Sequence, residues 1–188
     1  MSELVGGIPV ARIQHLLDRQ DIQECLERYI RGLDRHDGEL IASAFWPDAQ
    51  INYGESFSGP TAEFVPWAID IEAQYLSSHH FLSTQNVDIQ GDTAHVETYL
   101  FFIVRNVDKT EGMGGGRYID VAERRDGVWR LSQREFMAET RHNAPSLVPE
   151  RPTTPQGTRG DRSDLSYQRP LKRRPESARV RVVKSGGL

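Results

Sequence analysis

The apolar residues of this chain change their spacing once, near Ser77, and this change limits the folds the chain can adopt. From Asp21 to His36 they recur at steps of three and four, as on the buried face of an amphipathic helix. After Ser77 the period shifts towards two, as in strands that bury one face. Helices followed by an antiparallel sheet predict an α+β domain with the helices on one face of the sheet.

Three helical segments are predicted before Ser77. The longest ends near His36, and residues 9–17 form either its extension or a separate preceding turn. A shorter helix is predicted at 38–45, and Trp46-Pro47-Asp48 ends it because proline disfavours helical geometry in the residue before it. The other predicted elements are a short strand at 50–53, a loop at 54–59 and a third helix at 61–76.

Two hairpins are predicted after Ser77. Gly91-Asp92 and Arg125-Asp126-Gly127 are turn sequences, and each lies between two β-rich runs. Residues 108–116, between the hairpins, are polar and rich in glycine, and we expect a mobile connection there. The sheet then has four or five strands, of which the last four are residues 80–89, 93–105, 117–124 and 128–140.

The first strand of the first hairpin contains a change of parity. The inward positions are even-numbered up to Thr84 and odd-numbered from Val87, and they comprise His80, Leu82, Thr84, Val87 and Ile89. One extra residue near 84–86 would let both sets face inward, and such a β-bulge bends a strand. A sheet curved round the helices would form a cone with an interior cavity.

Charge divides the chain into a body and a tail. The net charge is −4, but residues 145–188 hold ten Lys and Arg against four Asp and Glu, so they carry +6 and residues 1–144 carry −10. Six of the ten prolines also lie in the tail, a composition that buries little apolar surface. We therefore expect a folded domain at 1–144 and a basic tail at 145–188, partly disordered or packed on a neighbouring subunit.

The composition also restricts the partners and the location. An acidic body argues against nucleic acid as a partner, because phosphate binding needs a basic folded surface. In the tail, Lys172-Arg173-Arg174 is expected to be solvated or laid over an acidic surface, and Arg159-Gly160-Asp161 to be incidental. No apolar run reaches the length of about 18 to 20 residues that a membrane span needs, and the first residues do not resemble a secretory signal. We expect a cytoplasmic protein with no membrane partner.

The common motifs of metal, nucleotide and hydrolase sites do not occur. The histidines and Cys25 lack metal-ligand spacing, there is no P-loop or GxSxG elbow, and the glycine run 112–116 precedes a strand rather than a helix. A lone cysteine on an apolar helix face fits core packing and cannot form an internal disulfide. We therefore expect no metal and no cofactor.

Five side chains that can carry chemistry lie in or beside apolar segments. On spacing alone, Asp34 fits a solvated or helix-end residue, and His80 fits a histidine that is satisfied within the core. Arg134 lies in mid-strand, where it fits either a surface ion pair or a charge that points inward. Tyr29 on the helix stripe and Tyr53 at the end of the first strand fit core aromatic residues, whose hydroxyls need a partner. Residue spacing therefore leaves their function open.

Four segments of the sequence resemble a known family in their order and spacing. They are Tyr29–Asp34, Phe45–Ala49, His80–Asp92, and Gly116–Tyr118 with Glu123–Arg130. Together they resemble the SnoaL-like branch of the nuclear transport factor 2-like superfamily, over about Arg12 to Arg141. The resemblance implies a cone-shaped barrel, in which a curved antiparallel sheet wraps round three N-terminal helices. It also implies a deep apolar cavity and assembly as dimers or trimers.

Within this superfamily the sequence is similar to a group that contains scytalone dehydratase, bile-acid dehydratase and hexachlorocyclohexane dehydrochlorinase. The similarity implies cofactor-free elimination on a histidine–aspartate dyad, with His80 as the base and Asp34 orienting it. By position, Arg134 matches a functional arginine of the dehydrochlorinase and Tyr29 a tyrosine of the bile-acid enzyme. Tyr53 matches a tyrosine that contacts the leaving group in dehydratases.

The leading hypothesis is a cofactor-independent lyase of the dehydratase or dehydrohalogenase type. It would act on a small, cyclic, largely apolar substrate and form a homo-oligomer. One alternative is an isomerase or cyclase that moves a proton α to a carbonyl with the same dyad. Another is a non-catalytic module that binds a small molecule or another protein.

Overall fold

Three helices and eight strands make up most of the residues that the computed structural model describes, 4–145 and 159–171. The helices are Val10–Arg35 (α1), Gly38–Ser43 (α2) and Thr61–Glu72 (α3), and a 3₁₀ turn lies at Leu165–Tyr167. The strands are Leu4–Val5 (β1), Ile8–Pro9 (β2), Phe45–Asn52 (β3), Ser58–Pro60 (β4), Tyr75–Gln90 (β5), Thr93–Asn106 (β6), Thr110–Arg125 (β7) and Val128–Pro145 (β8). None of these helices is long and apolar enough to cross a membrane.

Strands β3 to β8 form one curved sheet in the order β4-β3-β8-β7-β6-β5, and β1 pairs with β2 separately. Neighbouring strands are antiparallel, except that β3 runs parallel to β8. Helices α1 and α3 pack against this sheet, which does not close into a barrel. The predicted α+β fold with a cone-like shape is confirmed, with six strands in the main sheet rather than four or five.

The region between α2 and α3 differs from its prediction. Strand β3 begins at Phe45, so Trp46-Pro47-Asp48 continues as strand, and β4 lies partly where a loop was expected. Strand β3 pairs with β8 at Phe45 and again from Gln50, with an irregularity between them. The absent amide hydrogen of Pro47 therefore leaves no ladder position unfilled, which is the setting in which a strand tolerates proline.

Helix α1 is continuous over 26 residues, so residues 10–17 extend it and do not form a separate turn. Its C-cap is His36, which adopts a left-handed conformation with a φ of 53°. Cys25 donates its thiol hydrogen to the Ala44 carbonyl at 2.9 Å, and burial raises the pKa of this thiol to about 11. The predicted stripe is buried: Ile22, Cys25, Leu26, Tyr29, Ile30 and Leu33.

Bulges bend the sheet round α1. Strand β5 carries one extra residue between Leu82 and Gln85, relative to its partner β6. The bulge predicted near 84–86 thus lies slightly earlier along the strand. Two further irregularities lie between β7 and β8, at Gly115-Gly116 and at Val121-Ala122 of β7. Because bulges increase local bending and twist, they produce the concave face that receives the helix.

Residues 110–116 form the first half of β7 and not the mobile connection that their glycines suggested. Alternate glycines of this run are buried on the inner face. A Cβ at Gly114 would overlap the ring of Phe102, and a Cβ at Gly116 would overlap the main-chain oxygen of Met137. These glycines therefore allow close packing within the sheet rather than flexibility.

The described part of the tail contacts the body of the same chain. Arg162 and Tyr167 both bond to the Asp37 carboxylate, and Asp164 pairs with Arg35 at 3.5 Å. The rest of the tail, including Lys172-Arg173-Arg174, lies outside the described residues.

We expect Gly116→Ala to lower the free energy of unfolding by about 2 kcal/mol, because the new methyl group must displace the backbone of β8. Gly115→Ala is the matched control, because the nearest atom to a Cβ there would be the Thr140 hydroxyl, a side-chain atom, at 3.3 Å. Urea titrations measure the difference, provided that the m-value is unchanged. Equal destabilisation by both substitutions would contradict the packing role of Gly116.

Candidate active site

A cavity of about 470 Å³ lies between the helices and the inner face of the sheet. Residues of α1 and α3 line one side of it, and residues of β5 to β8 line the other. Most of the lining is aromatic or aliphatic, which is typical of a small-molecule site with few polar groups. The lining residues that can carry chemistry are Tyr29, Tyr53, Ser56, Glu72, Tyr75, His80, Tyr118 and Arg141.

The His80 ring lines this cavity and contacts Asp34, which lies in the last turn of α1. Alternation along β5 turns His80 inward and leaves His79 exposed. His80 Nδ1 lies 2.7 Å from Asp34 Oδ1, and the His80 main-chain amide donates to Asp34 Oδ2 at 3.3 Å. The two side chains are only 9% and 14% exposed. Because an ionised carboxylate accepts a hydrogen bond from Nδ1–H, this geometry favours the ring tautomer with a free lone pair on Nε2.

Glu72 brings a second carboxylate to the His80 ring, and it was not among the site residues predicted from the sequence. Glu72 is the last residue of α3, it is 5% exposed, and its Oε1 lies 3.8 Å from His80 Nε2. The signal that could have found it is the buried face of α3, where Phe64, Ala68 and Glu72 follow at four-residue steps. The imidazole therefore lies between two carboxylates, one near each ring nitrogen.

Tyr29 and Tyr53 place two hydroxyls in the cavity wall, with their oxygens 2.5 Å apart. Their rings also pack against Tyr118 of β7. Burial raises the pKa of all three tyrosines, so at neutral pH they are uncharged hydrogen-bond donors. Tyr118 was not among the site residues predicted from the sequence. Its place on the inner face of β7, two residues after Gly116, could have indicated it.

Arg134 lies behind the tyrosines rather than in the cavity wall. It is fully buried, and its Nε and Nη2 donate to the two oxygens of Asp120 at 2.7 and 2.8 Å. Its guanidinium carbon lies 4.3 Å from the centre of the Tyr29 ring and 3.8 Å from that of Tyr118. Burial disfavours its charge, but the Asp120 carboxylate outweighs burial and raises the pKa of Arg134. A permanent cation therefore lies against the tyrosine rings.

The five residues selected from the sequence thus lie at or directly behind one cavity. Tyr29, Tyr53 and His80 line it, Asp34 lies behind His80, and Arg134 lies behind Tyr29. Within residues 4–145 and 159–171, no group of three or more His, Cys, Asp and Glu side chains could hold a metal ion.

Comparison with known proteins agrees with this architecture. Residues 14–135 match the family model of the SnoaL-like domain, whereas none of the curated proteins matches the chain. The fold is similar to that of a scytalone dehydratase candidate from Novosphingobium aromaticivorans, with a TM-score of 0.63, 20% identity, and coverage of 73% of this chain and 97% of that one.

Two further solved structures extend the comparison. Hexachlorocyclohexane dehydrochlorinase LinA-type3 from Novosphingobium barchaimii has a TM-score of 0.69 and 17% identity, covering 75% of this chain and 99% of that one. A protein of unknown function with a cystatin-like fold, from Nostoc punctiforme, has a TM-score of 0.57 and 22% identity, covering 65% of this chain and 92% of that one. At such identities the likeness shows the shared fold.

We expect Arg134→Met to lower the free energy of unfolding by about 3 to 5 kcal/mol, because it leaves the buried Asp120 carboxylate without its partner. Asp120→Leu is expected to be destabilising because it leaves the buried Arg134 guanidinium without its partner. The double variant is expected to lose less than the sum of the two single losses, since neither charge is then buried alone. Urea titrations of the four proteins give the coupling energy, and strictly additive losses would contradict a coupled buried pair.

Proposed function

The chain belongs to the SnoaL-like domain family, and on this premise we propose that it is a cofactor-independent lyase acting on a small, cyclic, largely apolar molecule. The reaction removes a proton and a neighbouring hydroxyl or halide. One observation carries the proposal: His80 borders an aromatic cavity while Asp34 lies 2.7 Å from its Nδ1. Proteins of similar fold named as a dehydratase candidate and a dehydrochlorinase support the reaction class.

His80 is the proposed base, and Asp34 orients it. Nε2 takes a proton from the carbon adjacent to the one that carries the leaving group. The C–H electron pair forms the double bond between these two carbons, and the leaving group departs with its bonding pair. The imidazolium forms beside the Asp34 carboxylate, which stabilises it. An apolar surrounding strengthens this pair because less water competes. A positioned base of this kind is worth about 10² to 10⁴ in rate.

Tyr29 and Tyr53 are the proposed donors to the leaving group, and Arg134 supports them. A halide departs as an anion that accepts hydrogen bonds from the tyrosines. A hydroxyl departs as water with a tyrosine proton, which the imidazolium then replaces. The Arg134 cation, 4.3 Å from the centre of the Tyr29 ring, reduces the energy of negative charge on this side of the cavity.

The cavity supports the proposed class of substrate. A volume of about 470 Å³ suits a small molecule, and Phe64, Trp67, Phe102 and Phe136 offer ring faces for a cyclic compound. The few polar groups of the lining, among them the tyrosine hydroxyls and Glu72, would fix its orientation.

An isomerase or cyclase is the second candidate. The tyrosine pair in front of Arg134 favours it, because the same donors would hold the oxygen of an enolate formed α to a carbonyl. In D₂O, deuterium uptake at that carbon without release of a leaving group would identify this reaction. If the protein binds a small molecule and catalyses neither reaction, it is a small-molecule binding module.

We also propose that the protein is cytoplasmic and that it forms a homo-oligomer, either a dimer or a trimer. Support comes from the outer face of the sheet, where Phe81, Tyr99 and Phe101 are 52%, 42% and 44% exposed. Phe81 and Phe101 are paired across β5 and β6. A contiguous apolar patch of this kind is typical of a surface that another protein covers.

We expect His80→Gln and Asp34→Asn to reduce turnover by about 10² to 10⁴, because the first removes the base and the second weakens its orientation and the stabilisation of its charge. The assay measures the formation of unsaturated product from a panel of cyclic alcohols and cyclic chlorides. The wild-type protein defines the active members of the panel.

His79→Gln is the matched control, because His79 is the adjacent histidine of the same strand and its side chain is exposed. It is expected to keep the wild-type rate. A folded His80→Gln protein with unchanged turnover would exclude His80 as the base.

A further inference from the structure

Arg159 lies outside the residues matched to the SnoaL-like domain, yet its side chain ends beside the candidate active site. Only 15% of this side chain is exposed. It donates hydrogen bonds to main-chain oxygens at and just beyond the ends of α1 and α3: those of Asp34 at 3.0 Å, Tyr75 at 3.3 Å, and Leu33 and Glu72 at 3.4 Å. Carbonyls at a helix C-terminus lack partners further along the helix and favour a cation. One guanidinium therefore joins two helix ends.

The same guanidinium reaches both partners of His80. Its Nη2 lies 3.1 Å from Glu72 Oε2 and donates to Ser78 Oγ at 2.6 Å. The Ser78 hydroxyl in turn donates to Asp34 Oδ1 at 3.5 Å. Glu72 and Ser78 are 5% and 2% exposed, so these contacts are shielded from solvent. Arg159 thus contacts the Glu72 carboxylate directly and the Asp34 carboxylate through the Ser78 hydroxyl.

Contacts with the body hold this segment of the tail in place. The Gly160 amide donates to the Arg35 carbonyl at 2.8 Å, and the Tyr167 hydroxyl donates to Asp37 at 2.9 Å. The Tyr167 ring packs under the Arg31 guanidinium at 4.7 Å. The Arg159-Gly160-Asp161 sequence, expected to be incidental, therefore includes two residues bonded to the ends of α1 and α3.

The charges round His80 give Arg159 a chemical consequence. Two carboxylates beside one imidazole favour the imidazolium, which has no lone pair with which to take a proton. Because Arg159 is a cation paired with Glu72, it offsets part of the negative charge that the two carboxylates place beside the ring. The other charged or titratable side chains round the ring and its partners are Glu27, Arg31 and Arg35 on α1, His36 after it, His79 on β5, Arg141 on β8, and the cavity tyrosines Tyr29, Tyr53, Tyr75 and Tyr118.

We propose that Arg159 is a positioning residue of the active site: it holds Glu72 and Asp34 on opposite edges of His80 and offsets their charge, so that the ring can act as a base. The C-terminal segment 159–171 is then a working part of the site. This inference rests on the proposed role of His80, but its test reads the protonation of His80 directly and needs no substrate.

The test is an NMR titration of the full-length protein with isotopically labelled histidine. The His80 signal is assigned by its absence in the His80→Gln protein. Arg159→Gln is expected to move the midpoint of the His80 titration to higher pH, because a neighbouring cation is lost. Arg159→Lys, which keeps the charge, is expected to restore at least part of the wild-type midpoint.

Arg162→Gln is the matched control, because Arg162 lies in the same segment but pairs with Asp37 and Glu39. It is expected to leave the midpoint unchanged. Glu72→Gln is expected to lower the midpoint, and Arg159→Gln on that background is expected to raise it less than in the wild type. If Arg159→Gln does not fold, the Lys and Glu72 variants still report the effect. A midpoint unchanged by both Arg159→Gln and Glu72→Gln, or moved as far by Arg162→Gln as by Arg159→Gln, would overturn the proposal.

Turnover assays on the same proteins separate this inference from the proposed function. A shifted midpoint in a protein that converts no member of the panel would keep the influence of Arg159 on His80 and reject the lyase. Normal turnover with an unshifted midpoint would keep the lyase and reject the role of Arg159.

Discussion

Packing of α1 against the concave face of the sheet determines where the candidate residues lie. Tyr29 and Asp34 are five residues apart on this helix, and they reach the cavity wall and strand β5. Gly32 between them lets α2 approach so closely that a Cβ would lie 2.6 Å from the Ile41 side chain. The end of α1 is therefore fixed relative to the sheet, as a 2.7 Å contact between side chains of α1 and β5 requires.

Three pairs of ionisable side chains lie at or behind this cavity, where burial disfavours charge. Arg134 is paired with Asp120, Glu72 with Arg159, and Asp34 with His80. Replacing a buried ion pair with well-packed apolar residues often leaves the protein equally stable or makes it more stable. Stability alone therefore does not account for the buried Arg134–Asp120 and Glu72–Arg159 pairs, whereas the proposed reaction, which moves a proton and develops charge, gives them a role.

Local patterns predicted the elements whose formation depends on local sequence. The three-and-four spacing identified α1, the turn sequences identified both hairpins, and the parity change identified the bulge of β5. The glycines of β7 were misjudged because their role is set by Phe102 and Met137 on neighbouring strands. Asp34 and His80 are 46 residues apart and were selected through family resemblance. Spacing alone fitted a solvated or helix-end aspartate and a histidine that is satisfied within the core. Arg159, 81 or more residues from most of its partners, left no local signal.

The central claim is that Asp34 holds the Nδ1–H of His80 and leaves Nε2 free to take a proton. Long-range ¹H–¹⁵N correlation spectra of the labelled ring distinguish the two neutral tautomers. We expect the proton on Nδ1 and an unprotonated Nε2. A neutral ring with its proton on Nε2 would contradict the assignment of His80 as the base.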